Sequence, residues 1–339
     1  MTQVVRASLA AQASPATAAE RPEVSVVIPV YNEIENVEAL ASDVWSALGA
    51  QGKTFEVILV DDGSRDGSAE ALRRIAAERR EARVVLLRRN FGQTAALSAG
   101  FDHARGRVII TMDADLQNDP QDIPKLLAGI DEGYDIVAGW RLDRKDPFVS
   151  RRLPSMIANR LISWVTGVSL HDYGCTLKAF RAEVVREVHL YGELHRFIPA
   201  VANWMGVTVR EVPVNHRARR AGVSKYGIGR TIRVLLDLIT VKFMESYSTK
   251  PIQIFGLLGV VSGGLGFLGA GWLTVQRVLF GASLSNRPIL LLYVMLIVVG
   301  VQFISMGLVA EMLARTYHES QSKPIYYVKE LVEGRDART

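Results

Sequence analysis

The chain of 339 residues has little cysteine and only a small excess of charge. Its one thiol, Cys175, cannot form an intramolecular disulfide, which excludes a disulfide-stabilised fold and is typical of a reducing compartment. The net charge is +5, and basic residues concentrate in 151–160 and 215–233. Such clusters beside apolar sequence favour membrane surfaces or phosphate groups over duplex nucleic acid, so we expect no nucleic-acid partner.

Two long segments of the C-terminal third lack charged residues altogether. Pro251–Gln276 runs for 26 residues without a charge, and Pro288–Ala310 runs for 23. Because about 20 apolar residues cross the hydrocarbon of a bilayer, we predict two transmembrane helices rather than two buried core helices. Basic residues are more frequent outside this hairpin than in its link. By the positive-inside rule we expect a multi-pass protein of the inner (plasma) membrane, with its N-terminal domain and tail in the cytoplasm.

Two further segments have the period of amphipathic helices flanked by arginine. This pattern suits helices in the headgroup region, although core-facing helices show the same period. Proximity to the predicted spans favours the interfacial interpretation. The two apolar stripes consist of Met156, Ile157, Leu161, Ile162 and Val165, and of Ile232, Leu235, Leu236 and Ile239. In the first span, Gly259 and Gly263 permit close helix contact, within the hairpin or between protomers.

Short apolar runs alternate with helix-like segments in residues 24–140. The predicted strands are 24–30, 55–62, 83–87, 107–112 and 135–140, with helices beginning near Glu33, Gly67, Thr94 and Pro120. Such alternation predicts an α/β domain with a mostly parallel sheet covered on both faces. Ligands of these sheets bind at the carboxyl ends of the strands.

The chain therefore divides into five predicted parts. They are a loose tail (1–22), an α/β domain (23–229, containing an interfacial helix at 151–170), a juxtamembrane interfacial helix (230–250), a transmembrane hairpin (251–314) and a cytoplasmic tail (315–339). We expect the last part to be able to pair, as an added strand, with a neighbouring subunit in a dimer or tetramer.

The fourth predicted strand runs directly into an acidic cluster, "DADLQNDP". Asp119 before Pro120 is explained as a helix N-cap. Asp113 and Asp115 are different, because two carboxylates on one tight turn at a ligand-facing edge need a cation to offset their repulsion. Oxygen ligands select Mg²⁺ or Mn²⁺, which bind few protein groups together with substrate phosphates, and Gln117 adds a neutral oxygen. We predict a metal-bridged diphosphate here, with a solvated acidic turn as the alternative.

The first two strands also end in polar segments that suit a nucleotide. "PVYNE" offers Tyr31 for stacking and Glu33 as a hydrogen-bond acceptor, and "VDDGSRDGS" offers Asp61 and Asp62. Neither segment contains G-x-G-x-x-G or G-x-x-x-x-G-K-[ST], so a dinucleotide or ATP site of those kinds loses its main support.

The motifs together resemble glycosyltransferase family 2, with its GT-A nucleotide-sugar fold. The resemblance rests on "PVYNE", "DDGSRDGS", "RRNFGQTAALSAG", "DADLQNDP" and "AGWR". The later "HDYGCTLKAFR", "HRFIPA" and "GVSKYG", followed by two spans, are similar to the polyisoprenyl-phosphate glycosyltransferases. The similarity covers about residues 24–320, and the order and spacing of the motifs are more specific than any one of them.

The resemblance implies a set of site residues. Pro29, Tyr31, Glu33, Asp61 and Asp62 would hold the nucleoside, and Asp113, Ala114, Asp115 and Gln117 would frame the metal and diphosphate. Arg141 would lie between donor and acceptor phosphates, with Arg151, Arg152 and Arg160 as further lipid-phosphate contacts. Arg219 and Lys225 would close over the donor, or form a basic patch at the membrane. Asp115, Gln117 and Arg141 are the expected catalytic residues.

The expected reaction moves a sugar from a nucleotide sugar, UDP- or GDP-linked with UDP-hexose favoured, to undecaprenyl or dolichyl phosphate. A lipid monophosphate has a second pKa of about 6, so its oxygen is already anionic at neutral pH and needs no strong general base. Catalysis then reduces to positioning and charge stabilisation, with inversion at the anomeric carbon. The alternatives are transfer to a diacylglycerol or ceramide hydroxyl, with Asp172 or His171 as base, a processive polysaccharide synthase, or a non-catalytic nucleotide-sugar sensor.

Overall fold

A computed structural model gives the structure of the chain in two compact units, residues 1–241 with 324–339, and residues 242–323. The structure describes residues 21–142, 156, 159–160, 162–163, 166–188, 194–217, 252–281, 288–320 and 325–334. All statements below concern these residues.

The first unit is built on an eight-stranded sheet. Its strands are β1 (Val24–Val30), β2 (Phe55–Asp61), β3 (Ala82–Leu87), β4 (Val108–Thr111), β5 (Ile136–Arg141), β6 (Lys178–Arg181), β7 (Val209–Val214) and β8 (Val328–Glu333). Their order across the sheet is β7-β5-β6-β4-β1-β2-β3-β8. Strands β1, β2, β3 and β4 are parallel to one another, and β5 is parallel to β7. Strands β6 and β8 are antiparallel to the strands beside them.

Helices follow most of the parallel strands. They are α1 (Ile34–Gly49), α2 (Ser68–Glu78), α3 (Gln93–His103), α4 (Ile123–Asp131), α5 (Ala182–Glu187) and α6 (Ile198–Ala202). Short 3-10 turns occupy Pro120–Asp122, Leu194–Arg196 and Asn203–Met205. Asp119 accepts a hydrogen bond from the Gln121 N–H, 3.1 Å between the heavy atoms, which confirms it as the cap before Pro120.

The apolar strands are buried on both faces, as a doubly covered sheet requires. Two hydrophobic clusters flank it, one containing Leu40, Leu72 and Leu126 and the other Phe101 and Phe180. Because β1 to β5 and β7 run the same way, their carboxyl ends meet at one edge, together with the amino end of β6. That edge carries the polar segments discussed below.

The structure confirms the five predicted strands and the predicted helix starts, and it adds three strands. Strands β6, β7 and β8 were not expected in this chain's own sheet. The tail strand pairs with β3 of the same chain, antiparallel, from Arg83 opposite Glu333 to Leu87 opposite Val328. The expectation that the tail adds a strand to a neighbouring subunit is therefore corrected, because the edge of β3 is already covered by the chain's own β8.

The second unit consists of two long apolar helices, α7 (Ile252–Phe280) and α8 (Pro288–Ser320). Each contains a candidate membrane span, Phe255–Phe280 and Pro288–Ala310. A Cβ added to Gly259 would lie 2.7 Å from the Gly300 carbonyl oxygen, so this small residue allows contact between the two helices of the hairpin.

Most of the two predicted interfacial helices falls outside the described residues. In the first, the structure describes Met156, which is 57% exposed, and Ile162, which is 4% exposed and belongs to a hydrophobic cluster. Ile162 thus packs in the protein core. The juxtamembrane segment 230–250 lies wholly outside the described part of the chain.

Candidate active site

The acidic turn after β4 lies at the centre of the strand-end edge. The backbone N–H of Asp113 donates to the Asn118 side-chain oxygen at 3.1 Å, and the Asp115 carboxylate accepts the Gln117 N–H at 3.1 Å. Leu116 between them has a φ of 62°, a left-handed conformation that is uncommon for leucine and makes the turn tight. The Gln93 side-chain amide donates to Asp113 Oδ1 at 2.8 Å from the start of α3.

The electrostatics of this turn fit a divalent cation. Burial, and then the charge of Asp115, raise the pKa of Asp113 to about 6. Two neighbouring carboxylates held in this way gain from a cation that offsets their repulsion. The described residues contain no cluster of three or more His, Cys, Asp or Glu able to hold a metal by themselves. The residues therefore fit an ion shared with substrate phosphates rather than one caged by protein.

A cleft of about 290 Å³ opens on the same edge of the sheet, at the ends of β1, β2 and β3. Tyr31 and Asp61 line it, so two of the predicted nucleoside residues meet in one cavity. Asp61 accepts the Ser64 N–H, and burial raises the pKa of its carboxyl group. Pro29 lies within β1. The pairing of β1 with β4 ends before it, at Val27, so the missing N–H of the proline removes no hydrogen bond between these two strands.

Other predicted nucleoside residues tie loops together. Asp62 accepts the Phe91 N–H at 2.7 Å with one oxygen and the Gly92 N–H at 2.9 Å with the other. Glu33 accepts the Asn36 side-chain amide at 2.7 Å. Asp62 therefore fixes the loop that follows β3. Sequence reasoning missed this holding role, because it depends on two strand ends meeting in space.

Arg141, at the end of β5, is held by Asp172. Its Nε donates to Oδ2 at 2.6 Å and its Nη2 donates to Oδ1 at 2.9 Å. Burial opposes the charge of Arg141, but these bonds raise its pKa overall. Asp172 is only 2% exposed. Transfer to a lipid hydroxyl, the alternative reaction, would need Asp172 or His171 as a general base. The structure corrects that role, since the carboxylate is committed to Arg141.

A further set of contacts fixes Asp172. Glu211 on β7 accepts the backbone N–H groups of His171 and Asp172 at 2.9 and 3.0 Å. The His171 ring contacts the same carboxylate at 2.8 Å and stacks on Trp140, with the ring centroids 4.4 Å apart. His171 is therefore also engaged in structure, which disfavours it as a general base.

Lys178, at the start of β6, is a buried cation that sequence reasoning missed. Its ammonium donates to the backbone oxygens of Tyr173, at 3.3 Å, and Cys175. Burial lowers the pKa of Lys178 and raises that of the neighbouring Cys175 thiol to about 11. The charges of Lys178 and Arg141 both act on Asp113. The sequence signal for this residue is its place in the motif "HDYGCTLKAFR".

The remaining predicted site residues divide into two groups. Ala114 is buried on the acidic turn, Gln117 donates its N–H to Asp115, and Arg160 is exposed. The predicted donor-loop residues Arg219 and Lys225, and the predicted lipid-phosphate residues Arg151 and Arg152, lie outside the described residues.

Comparison with known proteins agrees with this geometry. Residues 25–189 match the family model "Glycosyl transferase family 2". The chain is 45% identical to dodecaprenyl-phosphate galacturonate synthase of Rhizobium johnstonii, over 92% of this chain and 93% of that protein. It is 41% identical to undecaprenyl-phosphate 4-deoxy-4-formamido-L-arabinose transferase of Edwardsiella ictaluri, over 91% of this chain and 94% of the relative.

Solved structures show the fold. Glucosyl-3-phosphoglycerate synthase from Mycobacterium tuberculosis, solved with Mn²⁺, UDP and glucosyl-3-phosphoglycerate, is similar with a TM-score of 0.52 and 17% identity. The match covers 67% of this chain and 80% of that one. The first unit thus has the α/β architecture of a GT-A-like nucleotide-sugar fold.

Proposed function

Since the chain belongs to glycosyltransferase family 2, in its polyisoprenyl-phosphate glycosyltransferase subfamily, we propose that it transfers a sugar from a nucleoside diphosphate to a polyisoprenyl phosphate. UDP is the favoured nucleotide, and undecaprenyl or dolichyl phosphate is the acceptor class. The names of both relatives given above include a polyprenyl phosphate.

The donor would lie along the strand-end edge. Its nucleoside occupies the cleft lined by Tyr31 and Asp61, and its diphosphate lies against the turn that carries Asp113 and Asp115. A bound Mg²⁺ or Mn²⁺ would supply charge stabilisation to the departing nucleoside diphosphate. Asp113, Asp115 and Gln117 would hold it. The M. tuberculosis complex contains Mn²⁺ together with UDP, which supports a divalent ion.

The acceptor needs a cation rather than a base. A lipid phosphate is already anionic at neutral pH. The carboxylate that contacts Arg141, Asp172, and the neighbouring His171 imidazole are both committed to structural bonds. Arg141 is oriented by a buried carboxylate, so its remaining N–H groups point in a fixed direction. We infer that it reduces repulsion between the donor and acceptor phosphates, while the lipid oxygen attacks the anomeric carbon in line and inverts it.

The membrane supplies the acceptor. Two helices are long and apolar enough to span a bilayer, and we place them in the inner membrane with the sheet domain in the cytoplasm. A dimer or tetramer stays a prediction.

One observation carries the proposal: a pair of carboxylates and a fixed arginine share one edge of a GT-A-like sheet. The charges of Asp115 and Arg141 both act on Asp113. The carboxylates proposed to serve the leaving group therefore lie near the arginine proposed to serve the acceptor phosphate. The test is a panel of labelled nucleotide sugars incubated with the detergent-solubilised full chain and undecaprenyl phosphate. The panel should contain hexose, hexuronate and aminoarabinose donors.

Formation of a labelled, mild-acid-labile lipid with one donor is the expected result. Undecaprenol, which lacks the phosphate, and diacylglycerol serve as matched acceptors. Transfer to either hydroxyl lipid but not to the phosphate would overturn the proposal, and so would tight nucleotide binding without transfer to any acceptor.

A further inference from the structure

The tail strand β8 contains an irregularity where it meets the nucleotide cleft. Leu86 pairs with Glu330, whereas the next residue of β3, Leu87, pairs with Val328. Two steps along β8 thus match one step along β3, and Lys329 is the extra residue. A bulge of this kind bends a strand and re-aims a side chain, and such bulges are frequent beside active sites.

The extra residue faces the cleft. Lys329 lines the same cavity as Tyr31 and Asp61, although it follows them by almost the whole length of the chain. The cavity wall is rich in cations, with Arg65, Arg73, Arg88, Arg89 and Lys329 against Asp61 and Glu70. Arg73 is paired with Glu70 and Glu330, and the Arg89 guanidinium lies over the Phe91 ring at 4.4 Å.

Several contacts fix β8 in this position. Glu330 accepts from Arg73 at 2.8 Å on one side of the bulge, and the Tyr327 carbonyl accepts the Arg88 N–H at 3.0 Å on the other. Farther along, Glu333 pairs with Arg83 at 2.9 Å and Arg105 at 3.0 Å. The Tyr326 hydroxyl donates to Asp102 at 2.6 Å. The bulge is therefore held from both sides, so the backbone that carries Lys329 is fixed.

We propose that Lys329, supplied by the segment that follows the membrane hairpin, binds the nucleobase of the donor by donating to a base carbonyl oxygen. This inference rests on the proposed function. Adjacent strands lie about 4.8 Å apart, so β8 is roughly 19 Å from β4 and its acidic turn, too far for a contact to a diphosphate held there. Lys329 is two strands from Asp61, on the side away from the turn.

The polar groups of the cavity wall suit a nucleobase that has an N–H next to a carbonyl. Asp61 is a buried carboxylate that can accept such an N–H, and Lys329 is a donor for the oxygen beside it. Uracil and guanine share this pair of groups. Adenine has no carbonyl oxygen, so it would gain nothing from the lysine.

The experiment measures nucleotide affinity by titration calorimetry on the full chain in detergent with Mn²⁺. Lys329→Gln should raise the Kd for UDP about three- to tenfold, as expected for the loss of one hydrogen bond of typical net strength. Lys329→Arg should retain most of the affinity. The Kd for ADP and for inorganic pyrophosphate should be the same in all three proteins. The same titrations with GDP show whether the lysine lowers the Kd for a uracil nucleotide, a guanine nucleotide or both.

Two controls separate binding from folding. Lys53→Gln removes a half-buried lysine before β2, at the edge where the parallel strands begin, and should leave the UDP Kd unchanged. The thermal midpoint of Lys329→Gln should equal that of wild type, and with an active donor its KM should rise while kcat stays constant.

The outcomes are distinct. Wild-type UDP affinity in Lys329→Gln overturns this inference alone. Equal weakening of pyrophosphate would assign Lys329 to the phosphates and overturn the base contact. If wild type binds no nucleoside diphosphate at all, the proposed function fails and this inference fails with it.

Discussion

Asp172 holds the guanidinium of Arg141 by two parallel bonds, 2.6 Å at Nε and 2.9 Å at Nη2, although 31 residues separate them. The Asp172 carboxylate also lies 3.4 Å from the Arg141 backbone N–H. Such a two-bond pair fixes the plane of the guanidinium, and its buried partner keeps the arginine from rotating toward the solvent. In the proposed reaction, Asp172 is thus a positioning residue for a cation between two phosphates.

Asp172→Asn should lower kcat by about tenfold or more while the donor Kd stays near that of wild type. The amide cannot accept two charge-assisted bonds, so Arg141 loses its fixed orientation, and a buried charge left without its partner also costs stability. Single-turnover kinetics and nucleotide titration measure the two quantities. Arg141→Lys should behave similarly, because lysine cannot form the paired contact. A rate increase or a rate unchanged within twofold in Asp172→Asn would contradict the positioning role.

The first half of the fold could be predicted from sequence because its signals are local. Strands β1 to β5 are short apolar runs, and β1 to β4 are each followed by a polar segment and a helix. Strands β6 and β7 are different. β6 has four residues, one of which is the buried cation Lys178, and β7, at the sheet edge, contains a proline and two charged residues. Neither has the apolar pattern that marks a strand.

The site residues also divide into those with a local sequence signal and those without one. Asp113 and Asp115 could be identified because both stand at the end of one apolar strand. The pairing of Arg141 with Asp172 depends on β5 and β6 lying antiparallel, which no local pattern encodes. The wall of the proposed nucleotide cleft is still harder to predict from sequence, since Lys329 reaches it from beyond the hairpin through a pairing of β8 with β3.

Asp115→Asn should reduce transfer by at least about a hundredfold without unfolding the protein, since it removes one of two carboxylates expected to share the divalent ion. EDTA should abolish transfer by the wild type, and added Mg²⁺ or Mn²⁺ should restore it. Activity is measured as labelled lipid product, and folding as the thermal midpoint.

Asp119→Asn is the matched control for this prediction. Asp119 belongs to the same acidic cluster but caps a helical turn and pairs with Arg217 at 2.7 Å. Its substitution should cost about 1 kcal/mol of stability or less and retain most of the activity. Full transfer in Asp115→Asn, or full transfer in EDTA, would contradict the metal assignment.

The thiol of Cys175 should not react with an aromatic disulfide reagent at pH 8 while the protein is folded. Cys175 is fully buried, and burial raises its pKa to about 11, so only roughly one thiol in a thousand is ionised at that pH. Raising the pH toward 10 should increase the thiolate fraction and accelerate the slow reaction. Absorbance of the released thiolate measures the rate.

Unfolding in guanidinium chloride provides the comparison for this thiol. The unfolded chain should react completely with one equivalent, because its single cysteine is then exposed at its ordinary pKa. Stoichiometric reaction of the folded protein within seconds at pH 8 would show that the strand-end edge around Cys175 opens far more than the packed structure allows.

Gly63→Ala should destabilise the protein more than Gly52→Ala and should also weaken UDP binding. Both glycines have positive φ angles, 71° and 64°, so each substitution pays a backbone cost of about 1 kcal/mol. They differ in their surroundings. A Cβ on Gly63 would lie 2.5 Å from the Arg89 carbonyl carbon, whereas a Cβ on Gly52 would meet nothing within 4 Å. The first substitution must therefore push the β2 and β3 loops apart, and both loops line the cleft. Thermal midpoints and UDP titrations of the two variants test this, and equal midpoints with equal UDP affinities would show that the close approach of Gly63 to Arg89 does not shape the nucleotide site.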